Sequence, residues 1–195
     1  MIEDTLIQWD QGATLWINSL NTPATDMFWA LMSDTRVWFP AYAVLAFMLF
    51  RRLGWKKGLA VLMGVVLTVV LCDQIPYHIR NAVQRLRPCF TDEMVSSGLH
   101  LPANPGGGFW GFFSCHASNV FGLITCALIG FRNDKAHTYN GFAFWGYLWA
   151  SLVSISRIML GRHYLGDVLV GVAFGLVVGW GIAMITRRLI QKIGI

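Results

Sequence analysis

GLAVLMGVVLTVVLCDQIPYHI, residues 58–79, decides the class of fold: its 22 residues contain one formally charged side chain, Asp73. As an α-helix such a run is about 33 Å long at 1.5 Å per residue, enough to cross the ~30 Å hydrocarbon core of a bilayer. The apolar residues are contiguous rather than alternating, which favours a helix over a barrel strand. A lipid-embedded helix also satisfies all of its own backbone polar groups. Outward from this stretch, further apolar runs cover about 37–50, 115–131, 139–158 and 164–186. Together they predict an all-α fold, a polytopic transmembrane helix bundle of five to six spans. The chain reads as a single membrane-embedded domain, 1–195, with its core at 58–186.

Composition agrees. Hydrophobic residues make up 55% of the 195 residues and charged residues 13%, about half the ~25% usual in soluble proteins. Disorder is excluded, and so is an ordinary soluble globule, whose polar residues could not cover so apolar a core. Four scattered cysteines without a CxxC pair exclude a disulfide scaffold. Residues 1–20 carry acids near the start and no basic n-region, so no cleavable signal peptide is expected. In that segment Leu6, Ile7, Trp9 and Ala13 are interspersed with Asp4, Gln8 and Asp10, the pattern of an amphipathic helix at the membrane interface. ATDMFWALMS (24–33) either lies beside it, completing an interfacial segment 1–34, or forms a sixth, partial span.

With five spans, Arg51, Arg52, Lys56 and Lys57, then Arg132 and Lys135, then Arg187, Arg188 and Lys192 all fall on one side. The positive-inside rule makes that side cytoplasmic. The net charge of +5 is then explained by topology, and no nucleic-acid partner is expected. The opposite side carries Arg80, Arg85, Arg87, His116, Arg157, Arg162, His163 and Asp167, drawn from the ends of four spans. Arginine is disfavoured there, and an anionic ligand is one reason for its presence.

These residues fall into three groups. Arg80 and Arg87 precede Pro88, which pushes Arg87 out of helical dihedrals, so the span should end near Arg87. If the helix runs that far, the two arginines lie two turns apart on nearly one face. Their planar forks suit phosphate, although arginines at a span end also snorkel to lipid headgroups. Next, Ser114 is a good N-cap for the span at 115–131, whose free first amides and dipole form an anion site, with His116 in the first turn. Finally, Ser156-Arg157 is followed by His163 and Asp167, at i and i+4 on one face of the last span. Asp167 would hold one imidazole nitrogen as N–H and leave the other free to attack; a structural His–Asp pair fits the same residues.

Taken together, the three groups resemble the type-2 phosphatidate phosphatase superfamily, membrane lipid phosphatases related to the vanadium haloperoxidases. The family signature is Lys-x6-Arg-Pro, then Pro-Ser-Gly-His, then Ser-Arg-x5-His-x3-Asp. The third motif is complete in this chain. The first has Arg80 for Lys; the second keeps Ser114 and His116 but has Phe113 for Pro and Cys115 for Gly. The resemblance implies catalytic residues His163 as nucleophile, forming a phosphohistidine, Asp167 orienting it, and His116 as general acid. It implies a phosphate-binding set of Arg80, Arg87, Ser114, Cys115 and Arg157, the last three through side chains and first-turn amides. It implies no metal and no cofactor, because the arginines supply the positive charge. The partners it implies are a membrane lipid phosphate and the bilayer.

Two departures bear on the site: Arg80 keeps the charge of the family lysine but is longer, and Cys115 would be strained if the position needed a positive φ; Cys89 falls on the same outer side as Cys115, leaving open whether the two are bonded. The loop at 89–113 carries Gly98, Pro102, Pro105, Gly106, Gly107 and Gly108, then Phe109, Trp110, Phe112 and Phe113. It fits a lid over the site and an interfacial anchor equally well. Asp73 falls on a similar face to Arg80, as a structural partner. The size of the chain and an outward site point, by family analogy, to undecaprenyl pyrophosphate at the outer face of a bacterial inner membrane. Phosphatidylglycerophosphate, phosphatidate and lipid A phosphates are the alternatives. A non-catalytic lipid-binding or transport protein is the reading from a different class, and it needs no aligned nucleophile, acid and aspartate.

Overall fold

The computed structural model describes residues 2–102 and 108–194. Pro105, Gly106 and Gly107 of the outer loop lie outside the described residues. The chain forms α1 (Ile2–Asn18), α2 (Asp26–Ser33), α3 (Phe39–Val83), α4 (Asp92–Ser96), α5 (Cys115–Phe131), α6 (Asn140–Met159) and α7 (Leu165–Ile193). The runs at 37–50 and 58–79 both lie in α3, which reverses at Gly54 (φ 75°, ψ 174°). Only glycine adopts that conformation without strain. The two arms lie side by side: Phe50 stacks on Trp55 with centroids 5.1 Å apart, and Leu49 packs with Val61 and Val65 in the main core. There are therefore five long apolar helical segments. Helix α2, with eight residues, is about 12 Å long and far too short to span a bilayer.

Helix α5 lies at the centre and packs on α3, α6 and α7. Its close approach to α7 follows from the repeat Gly171, Gly175, Gly179, which keeps one face of α7 free of side chains. A Cβ at Gly175 would sit 2.3 Å from the carbonyl oxygen of Ser118, and one at Gly179 2.4 Å from that of Gly122.

The second arm of α3 stops earlier than Pro88 alone predicts. Gln84 turns left-handed (φ 54°, ψ 32°) and donates its N–H to Arg80 O. Residues 85–87 then pair with the returning loop. Arg87 N donates to Phe109 O (3.0 Å), and Gly111 N donates to Arg85 O (2.8 Å). Arg87 is extended (φ −74°, ψ 155°), so Arg80 and Arg87 do not share a helix face. A second helix start also differs: α7 begins at Leu165, and His163 stands before it in a turn set by Gly161 (φ 64°).

At the same end of the bundle, α1 is amphipathic with its polar face inward. Asp10 accepts Gly166 N (2.7 Å) and Thr14 accepts Leu165 N (2.9 Å), so two of the free amides at the start of α7 are satisfied. Asn18 donates to the carbonyls of Ile158 and Met159 at the end of α6. Its apolar face, with Leu6 66%, Trp9 75% and Trp16 67% exposed, points outward, as an interfacial helix requires. The basic clusters gather at the opposite end. Arg52 contacts His137 at 2.7 Å, and Arg132, Lys135 and Arg187 line one pocket there.

Candidate active site

Arg87, Arg157, His163 and Asp167 are all buried, at the end of the bundle away from the basic clusters. Charged groups are seldom buried without a partner. Here, a cavity of about 700 Å³ is lined by Arg80, Arg87, Cys115, His116, Arg157 and His163. Among the described residues no ion pair engages Arg80, Arg87 or Arg157. Arg157 reaches Ser33 Oγ of α2 through one terminal nitrogen, while its Nε has no partner. Arg87 donates Nε to Trp110 O (3.1 Å), which leaves both terminal nitrogens for the cavity. Burial, followed by the charges of Arg80 and Arg162, pulls the Arg87 guanidinium below its usual pKa. So dense a set of uncompensated cations is the electrostatic complement of a multiply charged anion.

Helix α5 adds its N-terminus to the same place. Ser114 caps it, accepting Ala117 N at 3.5 Å. Ser114 itself is fully buried and does not line the cavity. Cys115 is the first helical residue, so the position needs no positive φ and the departure from glycine costs no backbone strain. Its thiol lies 3.8 Å from Arg80 Nη1. All four cysteines are free, so Cys89 and Cys115 are not bonded. Arg80 also lies 4.9 Å from the centre of the Tyr77 ring. Asp73 lines the cavity, but its carboxylate accepts from Gln74 (3.0 Å) rather than from Arg80.

His163 is 2% exposed. Burial, together with the Arg157 charge, pushes its pKa down to about 4, so at neutral pH the imidazole is uncharged. Its Nδ1 is 3.5 Å from Asp167 Oδ2, too long for a formed hydrogen bond. The pair does not share a helix face. Asp167, in the first turn of α7, reaches back over the helix start and accepts Tyr164 N at 3.1 Å. Its other oxygen accepts Arg85 Nη1 at 2.8 Å, and Arg85 Nη2 donates to Asp10 at 2.6 Å. The sequence assigns Ser33 no role, places Arg85 only among the outer-side arginines, and places Asp10 only in the amphipathic pattern of the N-terminal helix. The signal for Asp10 was present, since Asp10, Thr14 and Asn18 form a polar stripe at i, i+4 and i+8. Ser33 carries no such signal.

Most of the rest of the cavity is apolar. It runs between the arms of α3 and against α5, lined by Tyr42, Leu45, Leu62, Val66, Val69 and Leu123 among others. Asp73, Gln74 and Asn119 also line it, and Asn119 Oδ1 is buried without a partner. A second cavity shares Ser33, Thr35 and His116 with the first and is otherwise lined by Arg36, Arg162 and neighbouring residues. No group of three or more His, Cys, Asp or Glu that could hold a metal ion occurs among the described residues.

The model of the PAP2 superfamily matches residues 53–191. The chain belongs to that superfamily. It is therefore a membrane lipid phosphatase, a hydrolase carried on an all-α polytopic transmembrane bundle. Among PAP2 relatives it is 30% identical over 185 residues to the lipid A 4'-phosphatase of Bacteroides thetaiotaomicron, covering 94% of this chain and 80% of that protein. It is 29% identical over 175 residues to the lipid A 4'-phosphatase of Porphyromonas gingivalis, covering 89% and 71%. Its fold is similar to the PAP2-type phosphatidylglycerolphosphate phosphatase of Bacillus subtilis (TM-score 0.72, 17% identity, 94% and 87% covered). It is also similar to LpxE of Aquifex aeolicus (TM-score 0.62, 21% identity, 91% and 93% covered).

Proposed function

We propose that this PAP2 protein removes a phosphate from an acylated sugar lipid of the lipid A type, through a phosphohistidine at His163. The observation that carries the reading is the continuity of the cavity, cationic at one end and apolar along the rest. A phosphate held by the arginines leaves the lipid tail lying in the groove. Arg87, Arg157 and Arg80, with the first amides of α5, hold the phosphoryl oxygens and stabilise charge as transfer proceeds. The unprotonated nitrogen of His163 attacks phosphorus, and the bond to the lipid oxygen breaks. His116 protonates that oxygen, then takes a proton from the water that cleaves the phosphohistidine. Asp167 stabilises the Nδ1–H that develops positive charge. The second cavity, which meets the first at His116, gives water a route separate from the lipid groove.

The choice of lipid rests on two supports. Both curated relatives described above carry the name lipid A 4'-phosphatase. Asp73, Gln74 and Asn119 form a polar step between the arginines and the groove, suited to sugar hydroxyl and amide donors. A polyprenyl pyrophosphate offers no donor at that level, so the undecaprenyl pyrophosphate expected from sequence is the weaker fit. We place the site at the outer face of a bacterial inner membrane, because the basic clusters mark the other end as cytoplasmic. Phosphate release from lipid A, phosphatidate, phosphatidylglycerophosphate and undecaprenyl pyrophosphate in mixed micelles tests this. Lipid A should be the best substrate, and faster release from the polyprenyl lipid would overturn the choice.

A further inference from the structure

We infer that the N-terminal helix α1 is a positioning element of the active site, acting through Arg85 on Asp167. The inference rests on the reading of His163 and Asp167 given above, and extends it to a segment outside the family-matched residues 53–191. Asp10 Oδ2 accepts from Arg85 at 2.6 Å, and Arg85 donates to Asp167 Oδ1 at 2.8 Å. The guanidinium carbon lies over the Tyr164 ring, 3.9 Å from its centre. Asp10 Oδ1 also accepts the amide of Gly166, one residue before Asp167. Thus α1 fixes the catalytic carboxylate twice, through its backbone and through its charge.

The arrangement has a chemical consequence. A carboxylate engaged by His163 alone would favour the imidazolium, which is no nucleophile. Arg85 takes up part of the Asp167 charge and leaves the second oxygen turned toward His163 Nδ1. The groups facing the His163–Asp167 pair are Asp10 from α1, Arg85 and Arg87 after α3, and Cys115 and His116 from α5. Arg157 from α6, with Arg162 and Tyr164 in the turn, completes the set. Among the described residues, Arg85 alone of the arginines bridges two carboxylates. Removing it subtracts the positive charge bonded to the pair, so the pair should hold its proton to higher pH.

The test uses the full-length chain in micelles, with Arg85→Gln, Arg85→Lys and Asp10→Asn. Arg85→Gln should lower kcat about 10- to 100-fold, by analogy with the loss of an outer-shell partner that orients a metal ligand, with KM changed less than about threefold. Arg85→Lys should keep the acid limb of the pH–rate profile while losing part of kcat, because it retains the charge but not the fork. Asp10→Asn, which still offers an oxygen to Gly166 N, should give a smaller loss in the same parameter. A second readout does not need turnover: ¹⁵N-histidine NMR, with His163 assigned by its loss in His163→Ala. His163 in Arg85→Gln should titrate about one pH unit or more above the parent. An unchanged or lower titration overturns the inference, whether or not any lipid is hydrolysed. A parent chain that hydrolyses none of the lipids, together with the raised titration, would overturn the proposed choice of lipid alone.

Discussion

Replacing Arg87 and Arg80 by lysine, one at a time, separates geometry from charge at the phosphate site. Arg87 is buried, its Nε is committed to Trp110 O at 3.1 Å, and both terminal nitrogens are free for a phosphoryl group. Lysine at 87 keeps the charge, loses one of two parallel donors, and leaves the Trp110 carbonyl without its buried partner. The first loss is that of one donor to a transition-state oxygen, about 2.7–4 kcal/mol or 10²–10³ in kcat. The second acts on stability, by about 1–3 kcal/mol, and is read separately as a fall in Tm. Arg80 is half-buried against Tyr77, and its nearest polar contact is a thiol at 3.8 Å. It works chiefly by charge, and lysine is also the residue typical of the family at this motif position. Arg80→Lys should therefore stay within about tenfold of the parent, roughly 1.4 kcal/mol. Steady-state kinetics on a short-chain lipid phosphate should show the Arg87→Lys loss mainly in kcat, because the oxygens gain charge only as transfer proceeds. Equal and small effects at both positions would mean that the arginines serve only lipid headgroups, and would remove Arg87 from the site.

Three further outcomes follow from the same structure. Gly175→Ala places a Cβ 2.3 Å from Ser118 O and should destabilise the bundle by about 1–3 kcal/mol, seen as a lower Tm in detergent, whereas Gly181→Ala, with open space around it, should not. The folded pKa of His163, about 4 against an ordinary 6.5, means that the unfolded chain takes up this proton first. Its contribution to stability is full above pH 6.5 and declines as pH falls toward 4. His163→Gln should flatten that part of the Tm–pH curve, and the acid limb of kcat/KM in the parent should lie well below pH 6. For sidedness, a membrane-impermeant thiol reagent on intact spheroplasts should label Ser97→Cys and spare Lys135→Cys; the reverse pattern would put the site in the cytoplasm.

Much of this was legible in the sequence, and the physical reason is hydropathy. The span at 115–131 coincides with α5, and Ser114 caps it, because an apolar run entering lipid leaves little choice of boundary and the free amides need an acceptor. The gathering of Arg80, Arg87, His116, Arg157 and His163 follows from motif order along antiparallel helices. Long-range pairing was not legible. Pro88 marks a helix end, but the earlier stop at Val83 comes from residues 85–87 pairing with 109–111, a partnership with no local signal. His163 and Asp167 meet across a helix start, because the turn at Gly161 spends residues that spacing alone assigns to the helix. The inward polar face of α1 was visible as a stripe. Its partners, the ends of α6 and α7 and Arg85, lie about 75 to 156 residues away in sequence and only the fold brings them together.

Trapping the covalent intermediate tests the central claim most directly. The chain should be mixed with a ³²P-labelled lipid phosphate, quenched in alkali within the first turnover, and digested for peptide mapping. The account predicts an acid-labile, base-stable label on the peptide carrying His163, absent from His163→Ala. Phosphate release at the parental rate by His163→Ala, or a label on any other residue, would contradict it.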